Sequence, residues 1–225
     1  MIFNLFRKNK KDDQVKNIAI TMKTDWSVLT YSEFEQLMQI AEADIPEQYK
    51  TTHLISILTG LSIEEIEKLP IKIYKSLSNA LVFLNKQPNE VKHKNEYTVN
   101  GRKYIVQADV DKIITAQFLD YTNYARETNI SVIKLASCFM VPEGHSYGDG
   151  YDVNQVLFDI GCMKFEDVKA LAFFLQHQYA AYLLISNDSI NRQMKKMGVP
   201  KKKRMEALRH LDNMARSLLY SNSSK

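Results

Sequence analysis

The sequence predicts a mainly α-helical protein with a short N-terminal strand and one β-hairpin at about residues 96–106. Three observations carry that expectation. Glycine (7) and proline (5) are scarce among 225 residues, which favours long uninterrupted helices over a turn-rich sandwich or barrel. Apolar residues recur at helical spacing, most regularly at Val168, Leu171, Ala172, Leu175, Tyr179, Tyr182 and Leu183. Asn100-Gly101 stands between two runs of strand formers, where a type I′ turn requires positive φ at both central residues.

Residues 1–16 hold five basic and two acidic groups and read as a basic flexible arm, with Arg7, Lys8, Lys10 and Lys11 at its centre. Asn17 to Met22 alternates and is β-branched, as a short strand does. Thr30 and Ser32 precede an amphipathic run through Phe34, Leu37, Met38 and Ile40, a helix capped by one of those hydroxyls. Pro46 suits the first turn of a second helix, expected to bury Tyr49, His53 or Leu54, Ile57 and Leu58 and to stop at Gly60. Ser62 and Glu65 form a capping box that opens a short helix, and a third run spans Ile73 to Leu84.

The polar stretch 86–95 is a linker or long loop, followed by the hairpin Glu96–Val99 and Arg102–Val106. Helices are then expected from Asp111 through Tyr124, from Ile130 to Val141, and from Asp152 through Ile160. Further helices are expected at Phe165–Ile185, Ser189–Met197 and Lys201–Tyr220. The domains follow: arm 1–16, a small helical domain 17–85, linker 86–95, a hairpin and helical domain 96–191, and a basic helical C-terminal segment 192–225.

Charge is divided along the chain. The overall +4 combines +3 in residues 1–16, −7 in 17–191 and +8 in 192–225, so an acidic body carries two basic ends. Cys138 and Cys162 lie in separate apolar segments without CxxC spacing, which fits free thiols in a reducing compartment. The opening Met1-Ile2-Phe3-Asn4-Leu5-Phe6 is too short for a signal h-region, and Val168–Ile185 would have to bury Lys169, Gln176, His177 and Gln178 to span a bilayer. No membrane association is expected.

Motifs for catalysis and metal binding are missing: there is no HExxH, P-loop, GxGxxG or GxSxG. Histidines 53, 93, 145, 177 and 210 are scattered. The loop Pro142 to Asn154 gathers carboxylates, His145 and three glycines, but it lacks the alternating oxygen ligands and terminal Glu of a calcium loop. No catalytic residue, metal ligand or cofactor is expected. The interaction candidates are the basic groups: Arg7, Lys8, Lys10 and Lys11 at one end, and Lys195, Lys196, Lys201, Lys202, Lys203 and Arg204 at the other. These suit an acidic protein partner or the phosphates of a nucleic acid.

A strand, a Leu-Thr/Ser-x-x-x-Phe segment and then Leu54-Ile55-Ser56-Ile57-Leu58-Thr59-Gly60-Leu61-Ser62-Ile63-Glu64-Glu65-Ile66-Glu67-Lys68-Leu69 resemble the tail assembly chaperone family of tailed bacteriophages. That family shows a helix ending in Thr-Gly-Leu-Ser, a short acidic helix ending in Leu, and a further helix closing on an apolar-Phe-Leu stretch, here Leu81-Val82-Phe83-Leu84. The resemblance spans residues 17–84. It departs from the family at Ile71-Lys72-Ile73, where an Asp is common. It implies a non-enzymatic morphogenesis protein: a tail or neck assembly factor, or a virion subunit such as a ring, connector or cargo protein. Its partners would be phage structural proteins or copies of itself, met in the host cytoplasm and possibly the virion. The alternative is a DNA-binding or DNA-packaging accessory using the basic C-terminal helices.

Overall fold

The computed structural model describes residues 2–8, 15–109, 112–125 and 131–209, and within these the side chains outside 2–8, 15–18, 179–190 and 193. The chain is mainly α-helical and divides into two compact units. Residues 1–91 with 161–166 form the first, and residues 92–160 with 167–225 the second. The change of unit at 91–92 falls inside the expected linker 86–95. The return of 161–166 to the first unit has no local sequence mark.

The first unit opens with an antiparallel ribbon, β1 (Ile2–Lys8) and β2 (Val15–Thr21), in the register Ile2↔Thr21 to Lys8↔Val15. This corrects the expectation of an arm for residues 2–8 and 15–16; the rest of 1–16 lies outside the described residues. Ile2-Phe3-Asn4-Leu5-Phe6 is a strand-forming run whose signal the adjacent basic cluster obscured. Helix α1 (Tyr31–Glu42) starts at Thr30, whose Oγ1 accepts from the Glu33 amide while the Glu33 carboxylate accepts from the Thr30 amide. Helix α2 (Glu47–Thr59) ends at Gly60, held in the left-handed region at φ 72°. It buries Ile55 and Leu58, whereas Tyr49 is exposed and His53, Leu54 and Ile57 are half-buried. The Leu54 to Leu58 run is nearly all apolar, so periodicity alone did not fix which side faces inward.

Ser62 and Glu65 form the expected capping box of α3 (Ile63–Glu67). Helix α4 (Ile71–Ala80) then tightens into a 3-10 turn over Leu81–Asn85. The centre of this unit is aromatic. The Phe165 ring lies 4.0 Å from that of Phe34 and 5.4 Å from that of Trp26, while Trp26 also meets Phe83 at 5.6 Å. Two backbone hydrogen bonds hold the 163–165 segment against residues 29–31: the Phe165 amide to Leu29, and the Tyr31 amide to Met163, both 2.9 Å.

The second unit is built on a three-stranded antiparallel sheet ordered β3 (Glu96–Val99), β4 (Arg102–Val106) and β5 (Met140–Pro142). The β3–β4 turn places Asn100 at φ 49° and Gly101 at φ 76°, the paired positive angles expected there. Strand β5 corrects the helix expected over Ile130–Val141: helix α6 (Val132–Ser137) stops, and Met140 and Val141 pair with Val106 and Ile105. A short run buried on all sides has no period to separate helix from strand. Pro142 ends the edge strand, where a missing N–H breaks no ladder bond.

Helix α7 (Val153–Cys162) follows expectation, while helix α5 (Thr115–Ala125) begins later than expected, because the Lys112 and Ile113 amides turn back onto the Asp109 carbonyl; Asp111 and Ile130 lie outside the described residues. Helix α8 (Phe165–Lys196) runs without a break through the Ser186-Asn187-Asp188-Ser189 stretch, correcting both the two separate helices and the boundary at 191–192. Those residues are weak helix formers, but neither glycine nor proline interrupts them. Residues 201–209 are helical, and the remainder of the helix expected to Tyr220 lies outside the described residues. Among the described residues, no helix is long and apolar enough to cross a membrane.

Candidate functional site

Three groupings within the second unit hold polar or charged side chains capable of chemistry or recognition. The first is centred on Asp159, a carboxylate in the apolar run Val156-Leu157-Phe158-Asp159-Ile160 of α7 and 0% exposed. A buried carboxylate needs donors, and the hairpin supplies them: strand alternation puts Arg102 and Tyr104 on one face of β4, and Asn100 reaches the same carboxylate from the turn. Arg102 donates from Nε (2.7 Å) and Nη2 (3.0 Å), Asn100 from Nδ2 (2.8 Å) and Tyr104 from its hydroxyl (2.5 Å). Gln155, one helical turn earlier, donates at 3.1 Å.

Five hydrogen bonds therefore fill the acceptor capacity of the two oxygens. Arg102 foremost, then Tyr104 and Asn100, hold the Asp159 carboxyl well below the usual carboxylate range against the opposing effect of burial. Burial, with the bond to Asp159, pushes the Tyr104 phenol up to about 12. A carboxylate so occupied and so acidic has neither a free lone pair nor a suitable pKa for a general base at neutral pH. Its chemistry is that of a clasp joining the hairpin to α7.

The second grouping is the loop 142–154, where the sequence concentrates carboxylates. They point to separate partners. Glu143 pairs with Lys103 at 2.9 Å, Asp149 accepts from the Ser146 amide at 2.6 Å, and Asp152 accepts from the Asn154 amide at 2.9 Å, capping α7. Tyr147 donates to Asp120 at 2.6 Å. Burial, then the neighbouring Asp120 charge, pushes the Cys138 thiol up to about 12, and its Sγ lies 3.4 Å from the Lys134 carbonyl. Such a thiol is a small hydrophobe, not a nucleophile. Among the described residues, no group of three or more His, Cys, Asp and Glu could hold a metal ion.

The third grouping is basic. Helix α8 ends with Lys195 and Lys196, and the Gly198 and Val199 amides bond back to the Lys195 and Met194 carbonyls at 3.1 and 3.0 Å. Gly198 takes φ 72° in this turn, after which residues 201–209 are helical. Lys195, Lys196, Lys201, Lys202 and Lys203 are all exposed, and none has an ion-pair partner among the described residues. Arg204 differs from its neighbours. It is half-buried, its Nη1 donates to Asn191 Oδ1 at 3.2 Å, and its Nε is buried with no acceptor among the described residues. It braces the turn against α8 and is removed from the set of outward-facing charges.

At the other end of the chain, Arg7 and Lys8 lie in β1, Arg7 opposite Lys16 in the register, and Lys10 and Lys11 lie outside the described residues. Sequence reasoning missed the Asp159 clasp. A signal was present, since an aspartate inside an apolar helical run requires a partner, but those partners stand 55 to 59 residues away along the chain. Compared with known proteins, the chain matches no family model, no curated protein and no solved structure.

Proposed function

We propose that the chain is a non-enzymatic bacteriophage morphogenesis protein, a tail or neck assembly factor or a virion subunit such as a ring, connector or cargo protein, acting through protein–protein contacts. The observation that carries this reading is the helical punctuation between Glu47 and Asn85. Helix α2 closes on Thr59-Gly60, the Ser62–Glu65 box opens a five-residue acidic helix, and α4 runs into the apolar turn Leu81–Asn85. That is the order of elements which the resemblance to tail assembly chaperones implies.

Two further features support action by contact. The Asp159 carboxylate is occupied by its donors and the Cys138 thiol is buried against a backbone carbonyl, leaving no activated nucleophile or base among the groups named above. Large apolar side chains stand out on the helices of the first unit: Ile71 is 68% exposed, Val82 60% and Tyr49 52%. These are side chains that a partner helix or a second copy would cover.

The test is affinity capture of the full chain from phage-producing cells, with bound proteins quantified by mass spectrometry and the complex sized by gel filtration. Enrichment of phage structural proteins, or a defined homo-oligomer, is the expected result. A lone monomer with no virion protein enriched removes the proposal. Mass spectrometry of mature particles then separates a retained subunit from a chaperone that is absent from them.

A further inference from the structure

The elbow at the end of α8 has a property that assembly by protein contacts does not use. Residues 192–209 contain eight basic groups and one acidic group, Glu206. The turn that carries them is fixed at two points: by the amide bonds of Gly198 and Val199 to the end of α8, and by the Arg204–Asn191 hydrogen bond across the turn. The charges are thus held on a braced bend.

Their arrangement limits the partner. Lys201, Lys202 and Lys203 are consecutive on a helix, so they point roughly 100° apart and fan over about 200° around its axis. Lys195 and Lys196 lie on the other arm of the elbow. A flat acidic protein surface or a membrane meets only one side of such a fan. A helix seated in the groove of a duplex has phosphates on both flanks, and the major groove of B-form DNA, about 12 Å wide, admits a helix.

Of the large apolar side chains, Met197 (71% exposed) lies between the two lysine groups and Met205 (52%) just beyond them, and neither carries a donor able to read a base edge. We propose that this elbow, through Lys195, Lys196, Lys201, Lys202 and Lys203, is a sequence-independent contact for duplex DNA, with Arg204 and Asn191 as positioning residues. The inference does not rest on the assembly reading and stands or falls separately from it.

The experiment is fluorescence anisotropy of the full chain with a mixed-sequence DNA duplex across a salt series. Five phosphate contacts give a slope of log K against log salt of about −4.5, a loss of about 500-fold between about 50 and 200 mM salt. Replacing Lys201, Lys202 and Lys203 together by Ala reduces the slope to about −1.8, because each lost contact removes about 0.9. The corresponding triple Lys→Arg variant retains the parental slope, since charge and not packing is at issue, and circular dichroism verifies that both variants stay folded. A polyglutamate of equal charge, whose charges lie farther apart, displaces the DNA only at higher concentration.

Four outcomes overturn the proposal: no binding at low salt, a slope that the Ala variant leaves unchanged, loss of slope in the folded Arg variant, or equal competition by polyglutamate. The last would assign the elbow to an acidic protein partner.

Discussion

In the first unit, aromatic rings gather around Phe165; in the second, five hydrogen bonds converge on the Asp159 carboxylate. The aromatic centre is held by burial and ring contacts, which depend weakly on angle, so neighbouring elements can settle around it. The carboxylate centre depends on direction. Asn100, Arg102 and Tyr104 reach it together only if the hairpin turns at Asn100-Gly101, because a slip of one residue would take Asn100 out of its place in the turn and send Arg102 and Tyr104 to the opposite face. One unit is organised by apolar mass and the other by a register that a charge enforces.

Removing either centre tests that contrast. Phe165→Ala is expected to have the largest effect, about 3–5 kcal/mol in urea unfolding, because the ring is 5% exposed and its loss leaves a cavity among Trp26, Tyr31 and Phe34. Trp26 is the single tryptophan, so its fluorescence reports the affected unit directly. Asp159→Ala follows at about 2–3 kcal/mol, set by the orphaned Tyr104 hydroxyl and the lost charged hydrogen bonds. The value is kept low because the Arg102 side chain is 46% exposed and can recover water. An equal shift of the Trp26 transition in both variants would break the distinction between the two centres.

Acid should act on the charged centre selectively. The Asp159 carboxyl is depressed in the folded protein, chiefly by Arg102, so the unfolded chain binds its proton more tightly. Its contribution to stability is complete above the unfolded value of about 3.9 and is lost as pH falls below it toward the folded value. Stability followed by urea unfolding between about pH 6 and pH 2.5 should therefore fall more steeply for the parent than for Asp159→Asn, which has no such proton to bind. Parallel curves would show that the clasp carries no acid-sensitive stability.

The contrast also explains what could be read from the sequence. Caps, turns and helix stops are local: Thr30, Gly60, Ser62, Asn100-Gly101 and Asp152 each act through residues a few positions away, and the sequence displays them. The Asp159 clasp joins residues more than fifty positions apart, and the return of 161–166 to the first unit depends on the backbone bonds of Leu29 and Tyr31 with distant partners. Nothing within a helical turn of Phe165 announces the Trp26 ring. Strand β5 was hidden for a related reason, since Cys138 to Val141 is buried throughout and has no alternation to read. The basic elbow is legible as charge, but what separates Arg204 from its lysine neighbours is its bond to Asn191, thirteen positions away.

The smallest expected effect concerns a pair of exposed hydrogen bonds of the first unit, the capping box of α3. Ser62 Oγ accepts from the Glu65 amide at 3.3 Å, and the Glu65 carboxylate accepts from the Ser62 amide at 2.9 Å, satisfying two donors that would otherwise face solvent. Helix α3 has only five residues, so these bonds are a large part of what orders it. Ser62→Ala should cost about 1 kcal/mol, while Ser62→Asp, which keeps an acceptor, should cost much less. Because the box is exposed, water can replace part of what is lost, and the Trp26 transition should shift by well under half of the Phe165→Ala shift. A Ser62→Ala shift as large as that of Phe165→Ala would mean that directional bonding, not apolar mass, governs the first unit, and the two units would then be built on the same principle.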